Sequence, residues 1–192
     1  MASSLMDDLY TKLVNDEDAR VFREIPEGAC GEVPRNFFLL IGSYVLTKLG
    51  DSIANPKTTL TWMMDAIGAP VALTGLLVPV RESGSLIPQL VIAAAVRRQA
   101  VRKWVWVVGS VIQSLAVLAL GLVAWFLSGV PAGVGVVAAL VAFSLARGLS
   151  SVAAKDVLGK TIPKTRRGRV NGYSASIAGL ATLAVGAALV LL

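Results

Sequence analysis

The chain has 192 residues, 55% hydrophobic and 16% charged, with no histidine, one cysteine and a formal net charge of +6. Its mean hydropathy is +0.71, and its charged fraction lies well below the roughly 25% usual in soluble domains, so the residues require an apolar solvent. The single cysteine excludes an intrachain disulfide, the missing histidines exclude a zinc site or a Ser-His triad of the usual kind, and no cofactor is expected.

Residues 1–35 are mixed and acidic, with no apolar core of a signal peptide. They read as a cytoplasmic segment of one or two short amphipathic helices. Ser4 and Asp7 resemble a capping box with Asp in place of Glu. Leu5, Leu9 and Leu13 form an apolar stripe at helical spacing. That stripe is expected against the membrane surface or the cytoplasmic ends of a bundle, with a loose tail as the alternative. Cys30 falls in this polar segment.

Residues 36–192 read as an all-α membrane bundle, since about 20 apolar residues suffice to span a bilayer. Five spans are expected, at about 36–62, 70–96, 104–127, 132–154 and 170–192. Pro56 falls inside the first and predicts a kink that frees backbone carbonyls for a cavity. Arg97, Arg98, Arg102 and Lys103 close the second, and Trp104 and Trp106 open the third at headgroup level. A tight turn at 128–131 leads to the fourth, and a long basic loop over 155–169 leads to the fifth.

The basic residues set the orientation. The N-terminal segment, the loop after the second span and the loop after the fourth hold fourteen of the eighteen. The opposite turns, at 65–69 and 128–131, hold none. By the positive-inside rule the basic side is cytoplasmic, which predicts a multi-pass protein of the plasma (inner) membrane with a cytoplasmic N-terminus. Basic residues clustered at the ends of apolar runs speak for a lipid bilayer as partner and against nucleic acid.

The remaining four basic residues, Lys48, Lys57, Arg81 and Arg147, fall within the spans together with Asp51 and Glu82. A charge at the centre of a spanning helix costs roughly 2.5–3.5 kcal/mol, so such groups pair or face water. Tyr44, Lys48, Asp51, Asn55, Thr58 and Trp62 follow one another at helical steps and predict one polar face, with Lys48 and Asp51 near enough to pair. Arg81 and Glu82 sit near the middle of the second span, followed by Ser85, Pro88 and Gln89, and Gln89 and Gln113 add neutral donors. Together these residues outline a path for a polar solute or ion, with Asp51 and Glu82 as candidate proton carriers. The alternative is a set of structural ion pairs locking helices together. Glu82 either carries protons or neutralises Arg81 or Lys48; Lys57 is expected to snorkel, and Arg147 either snorkels or projects into the path. On the fifth span Gly172, Ser176, Gly179, Thr182 and Gly186 form a small-residue face suited to close helix packing.

From these residues a family resemblance emerges. The stretch Phe143-Ser-Leu-Ala-Arg147-Gly-Leu-Ser-Ser-Val resembles the arginine-centred fourth-helix motif of the major facilitator superfamily. Pro163-Lys-Thr-Arg166-Arg167-Gly168-Arg169-Val-Asn171-Gly172-Tyr resembles the basic start of that family's fifth helix. Leu49-Gly50-Asp51, partway along a long first helix, is also similar to members of the group. Two departures stand out. Ser150 and Ser151 replace the usual Gln and Gly, and the loop after the second span keeps its basic residues but lacks the usual Gly and Asp.

Over residues 36–192 the resemblance implies the N-terminal half of a secondary transporter that rocks two six-helix halves around a midplane site. It implies proton-coupled movement of a small solute and no enzymatic activity. Five spans against the family's twelve imply a truncated form or one half of an assembly, with the second half as a missing partner. A small multi-spanning scaffold with structural charges is the rival expectation, and a membrane enzyme a more distant one.

Overall fold

The structure, a computed structural model, describes residues 8–13, 32–98 and 103–191, without side chains for 87–98 and 189–191. Every element in the described residues is helical: α1 over 8–13, α2 Val33–Ile53, α3 Thr59–Ala66, α4 Val71–Arg98, α5 Lys103–Phe126, α6 Gly129–Thr161 and α7 Lys164–Leu191. The chain divides into two compact units. One holds the residues up to Leu49 with Asp156–Leu192, and the other holds Gly50–Lys155.

The first long helix is shorter than the expected span of 36–62. It ends at Ile53, and Asn55 and Pro56 lie in the break before α3. Pro56 has no N–H to continue the ladder, and Asn55 turns the chain by accepting the Lys57 N–H on Oδ1 at 2.9 Å. Two of the carbonyls at the break are taken up by side chains. The Thr59 hydroxyl donates to the Ser52 carbonyl at 3.2 Å and the Thr61 hydroxyl to the Pro56 carbonyl at 2.6 Å. The predicted continuous polar face ends with α2: Asn55 and Thr58 fall in the break, and Trp62 is exposed on α3.

Within the Gly50–Lys155 unit, α5 runs antiparallel to α6, and α4 runs parallel to it. A Cβ on Gly135 would meet Val123, one on Gly109 would meet Ser150, one on Gly133 would meet Leu73 and one on Gly84 would meet Ser144. These pairs ascend along α4 and α6 together, and in opposite order along α5 and α6. Glycine lets the helices approach to backbone contact there. Leu60, Met64, Leu77, Ala116, Leu120, Val136, Leu140 and Phe143 form the buried core of the unit.

The two turns without basic residues meet. Gly68 at φ 67° and Gly129 at φ 63° adopt the left-handed conformation that glycine enters without strain. The Gly129 N–H then donates to the Ile67 carbonyl at 2.8 Å, tying the α3–α4 and α5–α6 connections together at one end of the unit.

In the other unit the expected basic loop is almost entirely helix. α6 continues to Thr161 and α7 starts at Lys164, leaving Ile162 and Pro163 as the connection. Pro163 precedes the first turn of α7, where a missing N–H is harmless. Arg167 reaches back and donates to the carbonyls of Gly159 at 2.6 Å and Ile162 at 3.0 Å, closing the C-terminal end of α6. Arg167 therefore acts as a cap on α6 from within α7. Arg166, 4% exposed, donates to the Tyr10 hydroxyl and lies over its ring at 5.1 Å. Tyr10 and Tyr173 pack edge-on against the fully buried Phe37, at 5.3 and 6.4 Å between ring centres. The helical segment 8–13 is thus docked, while Leu9 and Leu13 of its predicted stripe stay exposed. Ser4, Leu5, Asp7 and Cys30 lie outside the described residues.

Among the described residues, two helices are long and apolar enough to cross a membrane, α5 and α6. This criterion does not support about five spans. α2 stops early, α3 has eight residues, α4 carries Arg81 and Glu82, and α7 opens with Lys164, Arg166, Arg167 and Arg169. Only 22% of the apolar window of α5 and 39% of that of α6 are buried within the protein. Trp104, Val108, Leu115, Leu118, Trp125 and Phe126 of α5 stand exposed, an apolar surface that soluble monomers avoid.

Candidate functional site

The Gly50–Lys155 unit places a carboxylate between two guanidinium groups. Asp51 lies in the last turn of α2, Arg81 in the first half of α4, and Arg147 beyond the middle of α6. Arg81 donates from Nη2 to Asp51 Oδ1 at 2.8 Å. Arg147 donates from Nε to both carboxylate oxygens at 2.9 Å, and its Nη2 lies 2.8 Å from Oδ2. The three side chains are 15–25% exposed. Partly buried charges of this kind persist when paired and hydrogen-bonded.

Arg81 is held by more than its charge. The Phe143 ring, one turn before Arg147 on α6, covers the Arg81 guanidinium at 4.9 Å. Gly84, three residues after Arg81, rests against Ser144, three residues before Arg147, so α4 and α6 approach closely beside the two arginines. Ser144 is fully buried, and its hydroxyl has no partner among the described residues.

The triad lines a polar cleft of about 410 Å³. Asn55, Pro56 and Lys57 from the helix break form part of its wall, with Glu82 and Ser85 of α4 and Ser151 of α6 completing it. Lys57 approaches Glu82 at 4.0 Å, and both are more than 60% exposed, so this pair contributes little to stability. With both signs counted, Lys57, Arg81 and Arg147 exceed Asp51 and Glu82 by one positive charge.

The sequence residues thus sort into three groups. Asp51, Asn55, Arg81, Glu82 and Arg147 come together at the cleft. Both oxygens of Asp51 are engaged by the arginines, in place of the pairing expected with Lys48, and Glu82 faces Lys57 where Arg81 or Lys48 was expected. Arg147 turns inward to Asp51 and does not snorkel. Lys48 and Gln113 line no part of the cleft. Gln113 is buried and donates from Nε2 to Ser150 Oγ at 2.8 Å and to the Gly109 carbonyl at 3.2 Å, a tie between α5 and α6. The Gln89 side chain lies outside the described residues.

Ser85, expected on the polar part of the second span, lines the cleft. Phe143 and Ser151 were not read as part of the site; they fall four residues either side of Arg147, so helical spacing from that arginine would have found them. No family model, no curated protein and no solved structure matches the chain.

Proposed function

We propose that the chain is an integral membrane protein forming the N-terminal helical bundle of a major facilitator-type secondary transporter. In this reading it moves a small solute through the cleft and carries a proton on Asp51. The observation that supports it most is the Asp51 carboxylate clasped by arginines from two other helices at the wall of a polar cleft, in a unit whose other helix faces are apolar and exposed. A charge set of this kind within apolar helices marks a solute or proton route. The same Arg147 centres the stretch that resembles the family's fourth-helix motif.

In this reading α2, α4 and α7 cross the membrane as well as α5 and α6. Asp51 of α2 and Arg81 of α4 are paired at the cleft, and the basic groups of α7 lie in its first turns. The meeting of the two non-basic turns agrees with a cytoplasmic basic side and an outer side at Gly68 and Gly129. Gly172, Gly179 and Gly186 of α7 have open space over them, which suits packing against further helices of a second half. The rival scaffold reading draws on one feature, the full occupation of both Asp51 oxygens, which suits a structural latch equally well.

The test is reconstitution of the full chain, with any second half, in vesicles loaded with a pH-sensitive dye. The vesicles are challenged in turn with amino acids, sugars and small organic acids. The transporter reading expects at least one solute to move protons, and Asp51→Asn to abolish that movement while the protein still inserts. If folded, inserted protein moves no proton with any solute, the scaffold reading replaces it.

A further inference from the structure

The unused donors at the cleft say what kind of solute it fits. A guanidinium carries five N–H groups. Arg81 gives Asp51 one of its nitrogens, and Arg147 gives it Nε and Nη2. Nε and Nη1 of Arg81 and Nη1 of Arg147 have no acceptor among the described residues. Beside the arginines the acceptors are committed: both Asp51 oxygens face them, Asn55 Oδ1 takes the Lys57 N–H, and the exposed Glu82 carboxylate lies towards Lys57 at 4.0 Å. The site therefore has donors to spare, one excess positive charge, and a volume of about 410 Å³, within the range of small-molecule sites.

Resting on the reading of the cleft as a solute site, we infer that the solute is a small anion, a carboxylate or phosphate monoanion, and that it exchanges with Asp51 for the two arginines. The anion's oxygens take the free N–H groups of Arg81 and Arg147 in the forked geometry guanidinium favours. As the guanidinium groups turn to the anion, the Asp51 carboxylate loses its counter-charges inside a largely apolar unit and takes one proton from water onto a carboxyl oxygen. One anion and one proton enter together, so the cleft keeps its net charge. The charged groups facing Asp51 are Arg81 from α4 and Arg147 from α6. Glu82 from α4 and Lys57 from the α2–α3 connection also line the cleft, and neither bonds the carboxylate. A cationic solute would meet the two arginines and find Asp51 already engaged by them, and a neutral one would offer the free guanidinium N–H groups no charged acceptor.

Binding tests this directly. The full chain in phosphatidylcholine vesicles, in weak buffer, is titrated with sodium lactate, with phosphate and with the neutral amide lactamide, following proton uptake and the unfolding midpoint. At least one of the two anions is expected to bind about tenfold or more tightly than lactamide and to take up one proton per site, the loss of one charge-assisted contact being worth about that factor. Asp51→Asn should bind the anion more tightly, because its competitor is gone, and take up no proton. Arg81→Lys, which keeps the charge but loses the fork, should weaken binding about tenfold and keep proton uptake.

Equal binding of lactamide, binding of neither anion, or unchanged affinity in Arg81→Lys overturns the inference. So does anion binding lost in vesicles containing phosphatidylglycerol, which would make a lipid headgroup the occupant. Proton-coupled transport of a neutral solute would overturn the anion assignment and leave the transporter reading standing. Anion binding with no transport would do the reverse.

Discussion

Replacing Asp51 by Asn removes the one negative charge that two arginines share. Each Asp–Arg contact at about 4 Å is worth about 4 kcal/mol of gross attraction at an effective dielectric near 20. Desolvation of the three side chains, 15–25% exposed, offsets most of that, so the net worth of the triad is small while the cost of breaking it is not. The asparagine can still accept one hydrogen bond, but two guanidinium groups are left facing each other without a counter-charge. The expected loss is about 2–4 kcal/mol, or about 4–16 °C in Tm for a chain of this length. The double variant Asp51→Asn/Arg147→Gln should recover about 1–2 kcal/mol relative to the sum of the single changes, because it removes one stranded cation. Unfolding in mixed micelles titrated with SDS, followed by circular dichroism, reads both quantities. A single variant within about 0.5 kcal/mol of the parent, or strictly additive changes, would refute the coupling.

The packing of α4, α5 and α6 predicts a contrast among glycines. Gly109→Ala meets backbone and side-chain atoms of α6 and should cost about 1–3 kcal/mol, whereas Gly121→Ala meets nothing within 4 Å and should be neutral or stabilising by up to about 1 kcal/mol. Gln113→Leu strands the buried Ser150 hydroxyl and should cost about 1–3 kcal/mol in the same unfolding assay. Ser144→Ala removes a buried hydroxyl without a partner among the described residues and should raise the free energy of unfolding by about 1 kcal/mol. Tyr10→Ala removes the ring beneath Arg166 and should speed proteolytic cleavage near residues 8–13 without altering the unfolding of the Gly50–Lys155 unit.

Helix content and most helix positions were legible because apolar run length carries them: α4 and α5 begin and end within about two residues of the expected spans. The exceptions share a cause. Hydropathy reads a run that contains Pro56 as one span, but a missing N–H and the Asn55 side chain divide it. It reads the basic stretch at 155–169 as loop, although a guanidinium can cap carbonyls from inside helix, as Arg167 does. Asp51, Arg81 and Arg147 were legible as a group because charge among apolar residues demands an explanation. Their partners were not. Lys48 stands one helical turn from Asp51 in the sequence, while Arg147 stands 96 residues away, and only the packing of α4 and α6 brings the arginines in. The expectation of about five spans is the one the structure supports least, since among the described residues α5 and α6 are the two helices long and apolar enough to cross a membrane.

The central claim is that Asp51 gains a proton when a solute takes its arginines. Difference infrared spectroscopy on the reconstituted protein, with and without lactate or phosphate, observes that event at the carboxyl group itself. The account predicts a protonated-carboxyl band that appears on binding of the anion and is missing in Asp51→Asn. Anion binding with no such band, or a band that survives in Asp51→Asn, would contradict it.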